Sequence, residues 1–167
     1  MFKIRLVQKE DAKEMLEYLK KVGSETDFLL FGKEGISLSL EEEAHLLERM
    51  RISPYAKMFI AKDGDLIIGT ASIHTSTKPR IKHKAELGIS VLKSYWGKGV
   101  SKLLMDKIIE YAKTSGFIEM ILLEVATTNT RAIKFYESYG FKSYGVARNA
   151  VKIDQGYLDW ELMRLDV

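Results

Sequence analysis

The sequence predicts an α/β (α+β) fold, with seven strands and four helices making one domain over residues 1–167. Three observations carry this expectation. Apolar residues recur at helical spacing in three segments, and a capping box opens a fourth helix. They alternate or run continuously in seven others, and strong turn signals separate the two kinds.

Phe2 to Val7 reads as a strand and Glu10 to Val22 as a helix, because Ala12, Met15, Leu16, Leu19 and Val22 share one face before Gly23. Ser24 to Leu38 has no period and mixes Gly32 and Gly35 with Phe28, Leu29, Leu30 and Phe31, so it is expected to be a long loop of the functional kind. Ser39-Leu40-Glu41-Glu42 matches a capping box and starts a helix that runs to Arg51, before Pro54. Lys57 to Ala61 and Leu66 to His74 form a hairpin around Lys62-Asp63-Gly64-Asp65. Lys84 to Leu92 alternates, with Leu87, Ile89 and Val91 on one side and Glu86, Gly88 and Ser90 on the other. Val100, Leu103, Leu104, Ile108 and Tyr111 mark a helix ending near Gly116, and Ile118 to Val125 is a buried strand. Asn129 to Tyr139 is a further helix closed by Gly140. Two strands, Lys142 to Val151 and Tyr157 to Leu165, turn around Asp154-Gln155-Gly156.

Composition narrows the chemistry. The chain has no cysteine, which removes disulfides, thiol nucleophiles and cysteine-based zinc sites, and His45, His74 and His83 have no metal-ligand spacing. No metal is expected. A net charge of +3 suits an anionic ligand, but the lysines and arginines are dispersed, so nucleic acid is not an expected partner. The densest basic run, Lys78 to Lys84, sits between two strands and reads as a solvated connection. With no apolar run near twenty residues and no secretory leader, the expectation is a soluble, cytoplasmic protein away from the membrane, a monomer or homodimer.

The first motif with chemistry in it is the strand that empties through Trp96-Gly97-Lys98-Gly99-Val100-Ser101 into a helix. Glycines let the backbone approach an anion, the first helical amides supply donors with the dipole behind them, and Lys98 adds a charge. A plain strand-to-helix turn has the same local appearance. A P-loop would need glycine at Leu92 and serine or threonine at Gly99, and the dinucleotide fingerprint would need a small residue at Lys102. Both fail. The second motif is Asn129-Thr130-Arg131-Ala132-Ile133-Lys134-Phe135-Tyr136-Glu137-Ser138-Tyr139-Gly140-Phe141, in which Asn129 suits a helix cap and Tyr136 suits either a core or a site.

Together, in this order and separated by one helix and one strand, the two segments resemble the GNAT N-acetyltransferases. That family's coenzyme A motif, Gln/Arg-x-x-Gly-x-Gly/Ala, is matched at Gly97 and Gly99, with Trp96 and Ser101 as departures. The second segment is similar to the family's Asn-x-x-Ala-x-x-Phe-Tyr-x-x-x-Gly-Phe pattern. The resemblance implies a mixed, mostly antiparallel seven-stranded sheet splayed between strands four and five. It implies acetyl-coenzyme A as co-substrate, with its pantetheine arm pairing along Gly88, Ile89, Ser90 and Val91 and its pyrophosphate at Trp96 to Ser101. It also implies that Asn129 and Arg131 contact the coenzyme, and that Tyr136 lies near the sulfur as the acid.

Direct transfer needs a neutral amine, donors for the oxyanion and a proton for the thiolate. Glu86, on the polar side of its strand, is the candidate base; an exposed strand glutamate is the alternative. Amides of Ile89 to Val91 would polarise the thioester, as the resemblance implies. The acceptor, a small amine, amino acid or protein N-terminus, is expected on the side of the 24–38 loop. There Glu25, Asp27, Glu34, Glu41, Glu42 and Glu43 are available to attract it. A non-catalytic acyl-coenzyme A sensor of the same shape is the other function class.

Overall fold

The computed structural model describes residues 1–167. It contains β1 (Lys3–Leu6), α1 (Ala12–Ser24), α2 (Leu40–Ile52), β2 (Ala56–Asp63), β3 (Leu66–Thr75) and β4 (Lys84–Val91). After these come α3 (Val100–Thr114), β5 (Met120–Ala126), α4 (Thr130–Ser138), β6 (Lys142–Ile153) and β7 (Gly156–Asp166). Seven strands and four helices stand in the expected order. Short 3-10 turns at Lys9–Asp11 and Lys93–Tyr95 lead into α1 and out of β4.

Local chemistry explains the element ends. Ser39 is the N-cap of α2: its hydroxyl accepts from the Glu42 amide at 3.2 Å, while the Glu42 carboxylate accepts from the Ser39 amide at 2.7 Å. This is the capping box that the sequence announces. Asn129 caps α4 by accepting from the Ala132 amide at 3.3 Å. The β2–β3 hairpin turns at Gly64, whose φ of 59° suits a residue without a Cβ.

The strands form one sheet in the order β1-β2-β3-β4-β5-β7-β6. Every neighbouring pair is antiparallel except β4 and β5, which run parallel. Alternation along β2 builds a core on each face. Ile60 joins Val7, Met15, Tyr18, Leu47, Ile67 and Leu92 under α1 and α2. Phe59 and Ala61 point the other way, into the cluster with Leu104, Met105 and Ile108 of α3 and Tyr136 of α4. Helices thus cover both faces.

One irregularity in this sheet matters for function. β4 and β5 pair only at Lys84↔Met120, Ala85↔Ile121 and Glu86↔Leu122. Beyond those positions β4 stays with β3 up to Val91, and β5 stays with β7 up to Ala126. Each strand is satisfied on its outer edge while the inner edges part, which opens a gap in the middle of the sheet and leaves β4 backbone unpaired on that side. No helix is long and apolar enough to cross a membrane.

Candidate functional site

The gap between β4 and β5 is the centre of a cleft of about 1140 Å³ that passes through the sheet. Pairing register assigns its two sides. Leu87 and Val91 of β4 and Leu123 and Val125 of β5 are buried with α3 and α4. Glu86, Gly88 and Ser90 therefore face α1 and α2. Glu86 is opposite Leu122, so Leu122 and Glu124 share its face, and Trp160 and Leu162, opposite Ala126 and Glu124, extend it onto β7.

On the α3 side, the wall is the turn from β4 into α3. Gly97 and Gly99 have φ of 77° and 82°, left-handed values that glycine adopts without cost, and no atom lies within 4 Å of where a Cβ would stand on either. The N-terminal amides of α3 open onto the cleft at Val100, Ser101 and Lys102. This cradle fits a pyrophosphate. Trp96, Gly97, Gly99, Val100 and Ser101 all line the cleft, as do Ile89, Ser90, Val91, Asn129 and Arg131. Lys98 does not; its ammonium sits 4.9 Å from the Tyr95 ring centre. Lys102 lines the cleft in its stead.

Trp96 has a defined place. Its indole N–H donates to the Val91 carbonyl at 2.8 Å, and the Arg131 guanidinium lies 4.8 Å from its ring centre. The stack links the glycine turn to α4 across the cleft, a cation–π contact of the usual kind.

Tyr136, in the α4 wall, is 8% exposed and packs edge-on against Phe141. Burial raises its phenol well above the usual range, so it carries its proton throughout the neutral range. Tyr139 also lines the cleft, but its hydroxyl already donates to Asp106 at 2.8 Å.

The opposite side holds two carboxylates. Glu86 is exposed to solvent and lies 3.4 Å from the His74 ring nitrogen. Glu124, two residues beyond Leu122, has its carboxyl raised by partial burial and by the Glu86 charge. Sequence reasoning missed Glu124, although it is the one charged residue within the apolar run Met120 to Ala126. It also missed Tyr144 and Trp160, which line the same side.

The acidic residues expected to recruit an amine from the loop do not reach the cleft. None of Glu25, Asp27, Glu34, Glu41, Glu42 and Glu43 lines it. Glu25 accepts from the Lys93 amide at 2.7 Å, Glu34 from the Gly32 amide at 2.7 Å and Glu42 from the Ser39 amide. Glu43 is buried. Free backbone donors hold the Glu25, Glu34 and Glu42 carboxylates, as they do in tight loops and helix starts. What the loop contributes instead is Thr26, Phe28, Leu29 and Leu30.

Comparison with known proteins agrees with this geometry. The family model described as "Acetyltransferase (GNAT) family" matches residues 14–141. The L-amino acid N-acetyltransferase AaaT of Escherichia coli is 33% identical over 113 residues, 67% of this chain and 69% of the relative. The [ribosomal protein bS18]-alanine N-acetyltransferase of Salmonella typhimurium is 32% identical over 47% of this chain and 53% of its own length. Among solved structures, a GNAT-family acetyltransferase from Streptococcus pneumoniae superimposes with a TM-score of 0.96 at 30% identity, both chains covered fully. The structure of yncA from Salmonella typhimurium with its cofactor acetyl-CoA reaches 0.85 at 17% identity over 99% of this chain and 94% of its own, a likeness of fold. With both motifs on the walls of one splayed-strand cleft and the family model spanning most of the sequence, the chain belongs to the acetyltransferase (GNAT) family.

Proposed function

We propose that this protein transfers an acetyl group from acetyl-coenzyme A to a primary amine by direct attack. One observation carries the reading. A single cleft runs through the sheet from the glycine turn at Gly97–Ser101, past a protonated phenol at Tyr136, to a carboxylate pair at Glu86 and Glu124. The relatives' names support an amine acceptor, since one is an L-amino acid N-acetyltransferase and the other a [ribosomal protein bS18]-alanine N-acetyltransferase.

When bound, acetyl-coenzyme A supplies the activated thioester. The chain's own groups do the rest. The α3 amides with Gly97, Gly99 and Ser101 hold the pyrophosphate, and Lys102 and Arg131 add charge. The unpaired edge of β4, Gly88 to Val91, offers its backbone to the pantetheine arm as an edge strand would, and amides there polarise the thioester carbonyl. Asn129 fixes the start of α4 and, through it, the direction of Tyr136. Glu86 and Glu124 attract the ammonium and take its proton, directly or through water. Tyr136 gives a proton to the departing thiolate.

The test is release of free thiol from acetyl-coenzyme A in the presence of amino acids, small amines and short peptides. Amine-dependent release with a matching N-acetyl product supports the enzyme. Binding of acetyl-coenzyme A with no amine-dependent release in any case identifies the acyl-coenzyme A sensor instead.

A further inference from the structure

The acceptor side of the cleft has a chemistry of its own. Phe28 and Leu30 of the loop stand exposed beside it, Leu122 and Trp160 are half-buried in the sheet, and Tyr144 on β6 is 55% exposed. Exposed rings and aliphatic chains gathered around one opening mark a binding surface. The loop is held in place: the Gly32 carbonyl abuts the open side of Gly23, Leu29 and Phe31 pack on the α1 core, and Glu25 ties it to Lys93 at 2.7 Å.

The charges there have one sign. Glu86 and Glu124 are the charged residues lining this side. The two cations that line the cleft, Lys102 and Arg131, belong to α3 and α4, across the sheet. Arg164 shares the face of Leu122 but donates to Asp166 at 2.7 Å and does not line the cleft. A carboxylate on the acceptor would find no lysine or arginine lining this side and the His74 ring already beside Glu86 at 3.4 Å, and would meet two negative charges, a costly arrangement.

Building on the acetyltransferase reading, we infer that the acceptor is a small hydrophobic primary amine, an aromatic or branched group on a short alkyl ammonium, with no carboxylate beside the nitrogen. The aromatic and aliphatic side chains take the apolar substituent. The carboxylates take the ammonium.

The experiment compares kcat/KM for phenethylamine, L-phenylalanine, ethylamine and a tetrapeptide with N-terminal phenylalanine, each with saturating acetyl-coenzyme A. Phenethylamine and phenylalanine differ by the carboxylate alone. That carboxylate also makes the amino acid's ammonium the stronger acid, which favours phenylalanine, so amine basicity works against the expected order. Phenethylamine is expected to exceed phenylalanine and ethylamine by about tenfold or more each. In Trp160→Ala, kcat/KM for phenethylamine is expected to fall about tenfold further than that for ethylamine. Equal or better use of phenylalanine, or of ethylamine, overturns the inference while leaving the acetyltransferase standing. Use of the tetrapeptide but not of phenethylamine places the amine on a peptide and overturns the small-molecule assignment. Turnover of none of the four, with acetyl-coenzyme A binding intact, overturns both.

Discussion

The Tyr18 hydroxyl on α1 meets the Ser90 hydroxyl on β4 at 2.8 Å, and Ser90 in turn meets Thr70 on β3 at 3.2 Å. Tyr18 is 3% exposed, and burial pushes its phenol up to about 12. A chain of three hydroxyls thus fixes α1 to the strand whose free edge faces the cleft. Tyr18→Phe leaves the Ser90 hydroxyl with one partner fewer. It is expected to cost about 1–2 kcal/mol, read as a Tm lower by about 2–8 °C. An unchanged Tm would mean that water replaces the phenol and that the network does not set the position of β4.

The glycine turn gives a second expectation. Gly99→Ala puts a Cβ on a residue held at φ 82°, with open space around it, so the damage is confined to backbone conformation at the start of α3. Affinity for acetyl-coenzyme A is expected to fall about tenfold or more, with a loss of about 1 kcal/mol in stability. Calorimetry returning the parent affinity from a folded variant would remove Gly97–Ser101 from the site.

Much of this was legible in the sequence, and the reasons are local. Ser39 and Glu42 announce α2 because a capping box depends on four adjacent residues. Gly97, Gly99 and the Asn129 to Phe141 segment announce the cleft because backbone freedom and helical spacing are properties of short stretches. What stayed hidden depends on register. That Glu124 shares a face with Glu86 follows from the pairing Glu86↔Leu122, and that Trp160 joins them follows from Ala126↔Trp160. Neither pairing is encoded within one segment. The loop carboxylates misled for the complementary reason: a glutamate looks free until its backbone donor is known, as Glu25 and Glu34 show.

The carboxylate pair makes a prediction about pH. Partial burial holds the Glu124 pKa up, and like-charge repulsion from Glu86 adds to it. Removing the Glu86 charge therefore lowers the Glu124 pKa. If Glu124 is the base, it must be ionised to act, so Glu86→Gln is expected to move the acid limb of the kcat/KM profile to lower pH. Glu124→Gln is expected to remove that limb and to lower turnover most below the acceptor's own pKa. An acid limb that stays in place in both variants would exclude the pair from proton transfer.

Glu43 makes a stability prediction. It is 2% exposed on α2, and its Oε2 has no hydrogen-bond partner. Burial raises its carboxyl above the ordinary value. For an acid with a raised folded-state pKa, the fold prefers the protonated form; its contribution is intact below the unfolded pKa and is lost as pH rises through the folded one. At neutral pH the residue is a liability. Glu43→Met is expected to raise Tm by about 2–6 °C near pH 7.5, and the gain should shrink toward pH 4. A gain independent of pH would assign the effect to packing rather than to charge.

The central claim is transfer of an acetyl group in this cleft with Tyr136 as proton donor. The phenol is buried, protonated and in the wall of the cleft, seven residues or about two turns along α4 from Asn129. The measurement is a single turnover: enzyme in excess, acetyl-coenzyme A limiting, an amine acceptor saturating, with free thiol and N-acetyl product followed together. The parent is expected to release one thiol per acetylated amine. Tyr136→Phe is expected to bind acetyl-coenzyme A with parent affinity and to transfer at least about tenfold more slowly, a floor beneath the roughly hundred- to ten-thousand-fold usual for general acid assistance. An equal single-turnover rate in the two proteins would contradict the account, leaving Tyr136 as packing and the thiolate to depart without its help.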